Sequence, residues 1–259
     1  MSARADRIVA LIAGGLLTVL FIACSAVQVA GWTTGAVEKE SHRTIRGPVE
    51  ELQIFAGSGD VVLVPAPGDN VEINSRTRGS LRTPQLEVQV NGYEVSVDGG
   101  CDEFAFGHCE ATLVVQVPAG TAVSVDTSSG ELSAENLNAN VSLHTGSGDV
   151  DVSRVSGRLD VDTSSGDVNA ANVRSDSVRA HTGSGDIDLD FALPPDTLDA
   201  DTGSGDVLVY VPRGPEAYDV DADTGSGDET IDILRDPGSS RQLRANTGSG
   251  DIEIAYRGS

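Results

Sequence analysis

Apolar and polar residues alternate along most of this chain. Val123 and Val125, Val141 and Leu143, Leu159 and Val161, Val178 and Ala180, Leu198 and Ala200, Val220 and Ala222, and Leu243 and Ala245 each bracket one polar residue. A period of two predicts a strand with one buried face. Each pair leads into a glycine turn: TSSGE at Thr127, TGSGD at Thr145, TSSGD at Thr163, then TGSGD at Thr182, Thr202, Thr224 and Thr247, with an earlier AGSGD at Ala56. Beyond the turn alternation resumes, as in Leu132 and Ala134, Val150 and Val152, Val168 and Ala170, or Ile252 and Ile254. At Asp228 the phase breaks, and Glu229-Thr230 reads as an insertion that passes the inward positions to Ile231 and Ile233.

The second glycines of the seven later copies are Gly130, Gly148, Gly166, Gly185, Gly205, Gly227 and Gly250, spaced by 18, 18, 19, 20, 22 and 23 residues. A near-constant period of this size marks a repeat architecture. Each repeat reads strand, tight turn, strand, connector. Neither strand can bury its face alone, so successive coils must stack about 4.8 Å apart in parallel ladders. The expectation is all-β: a parallel β-solenoid (β-helix-like) of about eight coils over residues 49–259, with the regular repeats in 120–259. An antiparallel stack of hairpins is the alternative, but it would not align equivalent residues in columns.

Between the early turn and Thr127 the period lapses. VEINSR, LEVQV, YEVSV and ATLVVQV still alternate, and Asn91-Gly92 is a type I′ hairpin signal. This stretch reads as a β-hairpin insertion that caps the stack. Residues 31–48 read as a polar linker.

Residues 8–30 form an uncharged apolar run of 23 residues, long enough to span a bilayer as one N-terminal transmembrane helix. Arg4 and Arg7 precede it, which places residues 1–7 in the cytoplasm and the rest outside. Trp32 follows at interfacial height. A cleaved signal peptide is the rival reading. Phe21-Ile22-Ala23-Cys24-Ser25 resembles a lipobox with Phe where Leu is usual; the simpler reading is a buried apolar cysteine. The expected localisation is the cell membrane, single-pass, with an extracytoplasmic C-terminal domain.

Composition narrows the function. A formal charge of -23 excludes nucleic acid, whose phosphates require Lys and Arg. Outside the cytoplasm Cys101 and Cys109 are expected to pair, and closing so short a loop contributes about 2.5 kcal/mol in the chain-entropy model. A metal site of Cys101, His108 and Cys109 lacks a fourth ligand at normal spacing. The turn acids Asp149, Asp167, Asp186 and Asp206 are calcium candidates, because Gly- and Asp-rich solenoids bind calcium between turns. Here the motif lacks the intervening residue and occurs once per coil, so the structural reading, acids accepting turn N–H groups, comes first. No cofactor is otherwise expected. His144 and His181 stand in outward columns of acids, as in charge-compensated ladders. The evenly repeated carboxylates and the absence of a base beside any serine point away from an enzyme.

The TGSGDV repeats, the N-terminal anchor and the paired cysteines before Val117-Pro118-Ala119-Gly120 resemble the bacterial adhesin family of the toast-rack, β-strand-repeat type, over about residues 45–259. The resemblance implies a membrane-anchored, adhesin-like binding or structural module with a protein or glycan partner. A cell-envelope stress sensor or scaffold that assembles with partner membrane proteins is the alternative. The lengthening repeats place the extra residues in the late connectors. Candidate partner-binding residues there are Pro194, Pro195, Arg213, Tyr218, Arg235 and Arg241.

Overall fold

The computed structural model describes residues 37–79, 86–101 and 109–258. The expected transmembrane segment 8–30, Cys24, Trp32, His108 and the side chains of Cys101 and Cys109 lie outside the described residues. Among the described residues no helix is long and apolar enough to cross a membrane.

Two large sheets face each other across one continuous core of Val, Leu, Ile and Ala. The regular coils place one strand in each sheet: β8 (Ala122–Thr127) with β9 (Leu132–Glu135), β10 (Val141–Thr145) with β11 (Val150–Ser153), and β12 (Leu159–Thr163) with β13 (Val168–Val173). Then come β14 (Ser177–Thr182) with β15 (Ile187–Phe191), β16 (Thr197–Thr202) with β17 (Val207–Val211), β18 (Asp219–Thr224) with β19 (Glu229–Asp232), and β20 (Gln242–Thr247) with β21 (Ile252–Tyr256). The strand before each turn joins the ten-stranded sheet and the strand after it joins the eleven-stranded sheet. All these ladders are parallel, and the registers align Val123, Val141, Leu159 and Val178 in one inward column. Alternation, parallel stacking and column alignment therefore hold as the sequence implies.

The coil of β2 (Glu51–Gly57) and β3 (Asp60–Pro65), which carries the early AGSGD turn, stacks on β8 and β9. Outside it lies a further coil of β6 (Glu94–Cys101) and β7 (Cys109–Val117). Two edge strands in the larger sheet, β1 (Val37–Ile45) and β4 (Val71–Gly79), and one in the smaller, β5 (Glu87–Asn91), complete this end. Removing β1 and β4 from eleven strands, or β5 from ten, leaves nine coils where about eight were expected. The extra one, counted among the described residues, is β6–β7, which carries no GSGD copy between its strands.

Four readings need correction. Residues 37–45, assigned to the linker, form β1, because their alternating charges match those of β4: Arg76 binds Glu40 at 2.7 Å and Arg78 lies 3.4 Å from Glu38. The expected hairpin joins β5 and β6, but Asn91 pairs with Glu94 inside the ladder, so the loop is Gly92-Tyr93. Gly92 has a φ of 68°, which suits the first loop position of a type II′ turn.

The third correction concerns coil order. The last coil, β20–β21, inserts between β16–β17 and β18–β19, so the penultimate repeat is the outermost. The fourth explains it. Glu229-Thr230 is no insertion: Glu229 pairs with Ile252 and Ile231 with Ile254, so Glu229 itself occupies the inward column. In sequence order Glu229 would sit between Val207 and Ile252. An unpaired buried carboxylate there costs several kcal/mol. At the open end of the stack Glu229 is exposed.

Candidate functional surface

The turn edge is built from three interlocking ladders. Each motif Thr points inward, continuing the period of two, and from Thr145 onward donates its hydroxyl to the second glycine carbonyl of the neighbouring coil, whereas Thr127 donates chiefly to Gly57 at 2.7 Å. Thr182 reaches Gly166 at 3.0 Å, Thr202 reaches Gly185 at 2.9 Å, and Thr247 reaches Gly205 at 2.9 Å. That second glycine is doubly required. Gly148 has a φ of 155°, and a Cβ on it would stand 2.1 Å from the Gly130 carbonyl oxygen. Coils can approach this closely only without a side chain.

From Asp149 to Asp251, each turn Asp accepts the amide of the Asp one coil further on. The Asp167 amide donates to Asp149 at 3.0 Å, Asp186 to Asp167 at 2.9 Å, Asp206 to Asp186 at 2.8 Å, Asp251 to Asp206 at 2.8 Å, and Asp228 to Asp251 at 2.8 Å. All four calcium candidates thus have an oxygen engaged by backbone, and carboxylate repulsion along the column is offset by amide dipoles. Among the described residues no three His, Cys, Asp or Glu side chains gather in a metal-holding arrangement. Glu131 carries a raised carboxyl in this column: slight desolvation, and then Asp151, Asp60 and Asp149, push it up.

The outer face of the ten-stranded sheet carries a ladder of alternating charge. Asp160, Arg179, Asp199, Arg244 and Asp221 are successive partners across five strands. Arg244 lies 3.4 Å from Asp221. Beside it runs His144, Asp162, His181, Asp201, Asn246 and Asp223, with His144 at 3.3 Å from Asp162 and His181 at 3.3 Å from Asp201. The coil exchange perfects both columns, because sequence order would put Asp199 beside Asp221 and Asp201 beside Asp223.

The late connectors divide: Arg213 and Arg235 are exposed, Pro194 and Arg241 are half-buried, and Pro195 and Tyr218 are buried. Tyr218 is 1% exposed. Its hydroxyl has no hydrogen-bond partner among the described residues, and burial pushes it up to about 12, with Arg241 acting in the opposite sense. Arg241 donates to the carbonyls of Pro194 at 3.1 Å and Pro195 at 2.9 Å and pairs with Asp196 at 2.5 Å, tying one connector to the next. Arg213 lies 5.5 Å from the Tyr256 ring centre. Arg235 is exposed and its backbone bridges to that of Tyr218. The last two connectors are the longer ones because the chain must step over one coil position and then return, and Tyr218 and Arg241 help to close that crossover. Sequence reading singled out no outward residue of the eleven-stranded sheet. The signal available was Tyr210, an aromatic at an outward strand position.

Stacked parallel coils with glycine turns and outward charge ladders define an all-β repeat protein of the toast-rack kind. The chain belongs to the Toastrack DUF4097 family, which matches residues 49–259. A "putative adhesin" from Parabacteroides merdae is 14% identical, with a TM-score of 0.45 over 83% of this chain and 97% of that one. Another from Bacteroides fragilis is 12% identical, with a TM-score of 0.41 over 83% and 97%. A "putative cell adhesion protein" from Clostridium sporogenes is 14% identical, with a TM-score of 0.40 over 85% and 100%. No curated protein sequence matches the chain.

Proposed function

We propose that this protein is a membrane-anchored, extracytoplasmic binding module of the adhesin type, without catalytic chemistry of its own. Residues 8–30 hold it in the membrane, and a Cys101–Cys109 disulfide closes the turn of the β6–β7 coil. The observation that carries the reading is the continuous pair of charge ladders on the ten-stranded sheet. A flat face held by parallel ladders presents side chains at fixed spacing, and charge complementarity on such a face sets specificity and encounter rate. Its carboxylates recur evenly, which suits recognition of an extended partner better than chemistry at one bond.

The test is to display the full chain on non-adherent bacteria and measure retention on surfaces coated with host glycans or matrix proteins. Retention above the empty strain is expected. No retention on any coating, together with loss of copurifying membrane proteins when 8–30 is replaced by an unrelated anchor, would make the chain a sensor or scaffold instead.

A further inference from the structure

A cleft of about 450 Å³ opens on the outer face of the eleven-stranded sheet. Its position follows from a change of coil type. In three successive coils a residue with positive φ stands at the end of the strand after the turn, just past β9 and β11 and one residue before the end of β13: Asn136 at 56°, Arg154 at 54° and Asn172 at 54°. The next coil lacks that residue, and β15 runs directly from Asp190 to buried Phe191. Where the two types meet, Ala171 and Asn172 of β13 face Asp190 alone. Such a mismatch bends one strand and re-aims its side chains. Beside it the small side chain of Ala171 leaves the floor open.

Several kinds of group surround that floor. Tyr210 is the cross-strand partner of Asp190, and its hydroxyl donates to Glu253 at 3.4 Å. Arg257 reaches back from beyond β21 and clasps Asp190 at 2.6 and 2.8 Å and Asn172 at 3.1 Å. Asn169 and Asp188 are outward cross-strand partners on the remaining side. Partial burial, and then Asp190, push the Asp188 carboxyl up. A crowded, partly desolvated carboxylate gains from hydrogen-bond donors that a ligand brings.

A pyranose ring has the matching chemistry. Its C–H face packs on an aromatic ring, and its hydroxyls both donate to carboxylates and accept from amide and guanidinium N–H groups. The volume falls within the roughly 300–1,000 Å³ usual for small-ligand sites. We propose that this cleft, formed by Asn169, Ala171, Asp188, Asp190, Tyr210 and Arg257, is a subsite for a neutral pyranose unit of a glycan. Its biological use rests on the binding-module reading above; its chemistry does not. Tyr210 stacks on the sugar, Asp188 and Asn169 bind vicinal hydroxyls, and the Asp190–Arg257 pair fixes the wall.

The experiment is titration of the full-length protein with cellotriose, chitotriose and mannotriose to about 10 mM, the range in which millimolar affinities show. Chemical shifts of the Tyr210 ring and the Arg257 side-chain N–H report binding. At least one trisaccharide is expected to shift both. Tyr210→Ala is expected to weaken binding about tenfold or more, and Ala171→Trp, which fills the floor at an exposed position, to abolish it. Unchanged folding of both variants is checked by thermal melting, and Asn169→Ala serves as a milder second probe should either fail to fold. No shift with any of the three sugars overturns the proposal, as does binding that Ala171→Trp and Asn169→Ala leave intact. A response to lysine methyl ester and to none of the sugars also overturns it, and would make the cleft a cation site. Sugar shifts without surface adhesion would keep the subsite and reject the adhesin reading. Adhesion that survives Ala171→Trp would place attachment elsewhere.

Discussion

Single residues in the turn decide whether two coils can touch. Gly166 illustrates this: its φ is 153°, and an added Cβ would stand 2.1 Å from the Gly148 carbonyl oxygen. Both the backbone conformation and the backbone contact exclude a side chain, and neither neighbour is a flexible side-chain end that can move away. Gly166→Ala is therefore expected to cost about 3 kcal/mol or more. Gly68 is the control, because nothing lies within 4 Å of its Cβ position and its φ is not in the left-handed region. Gly68→Ala should leave the denaturant midpoint nearly unchanged. Equal midpoints for the two variants would refute the close-approach account. The GSGD motif was legible as a turn from sequence. Its interlocking was not, because the atoms it meets belong to a coil about 20 residues away.

Strand pairs, not single strands, set the order of the final coils. Arg244 separates Asp199 from Asp221, and Asn246 separates Asp201 from Asp223. Arg244→Asp would align three acids and weaken the inserted position of β20–β21. The Arg244 and Asp221 side chains are more than half exposed, so the expected loss is modest, about 1 kcal/mol. Amide hydrogen exchange in Gln242–Thr247 should accelerate more than exchange in Leu159–Thr163. Adding Asp221→Arg should restore part of the loss by recreating an opposite pair. Uniform acceleration across both strands would show that the charges do not specify the order. The same crossover explains why the last two spacings grow to 22 and 23 residues, a lengthening whose cause the sequence alone left open.

Taken whole, the molecule must manage the exposed ends of its two sheets. At the end of the stack formed by β18 and β19, each of these strands has one edge unpaired among the described residues, and together they present Asp219, Asp221, Asp223, Glu229 and Asp232. An edge of this kind invites strand addition, and like charge suppresses it. Replacing all five acids by their amides should produce concentration-dependent association, seen as larger species in sedimentation velocity. The parent should stay monodisperse at low salt. A variant that remains as monodisperse as the parent would show that the acids do not guard this end.

The sequence by itself determined the local plan: strands from a period of two, turns from glycine pairs, inward columns from the fixed offset of Val, Leu and Ala to each Thr, and parallel stacking from the constant repeat. These are properties of each repeat and its copies, so they can be read without knowing which copies touch. The family resemblance followed from the same motifs. Neighbour choice was decided only in the folded molecule. The exchange of the last two coils, the burial of Tyr218, and the meeting of Tyr210, Asp190 and Arg257 all depend on contacts between residues far apart in the chain. Glu229 was a visible clue, an acid at an inward position, but its meaning depended on where the stack ends. Burying a carboxylate is costly in the middle of a stack and nearly free at its end, and only the tertiary structure says which place a repeat occupies.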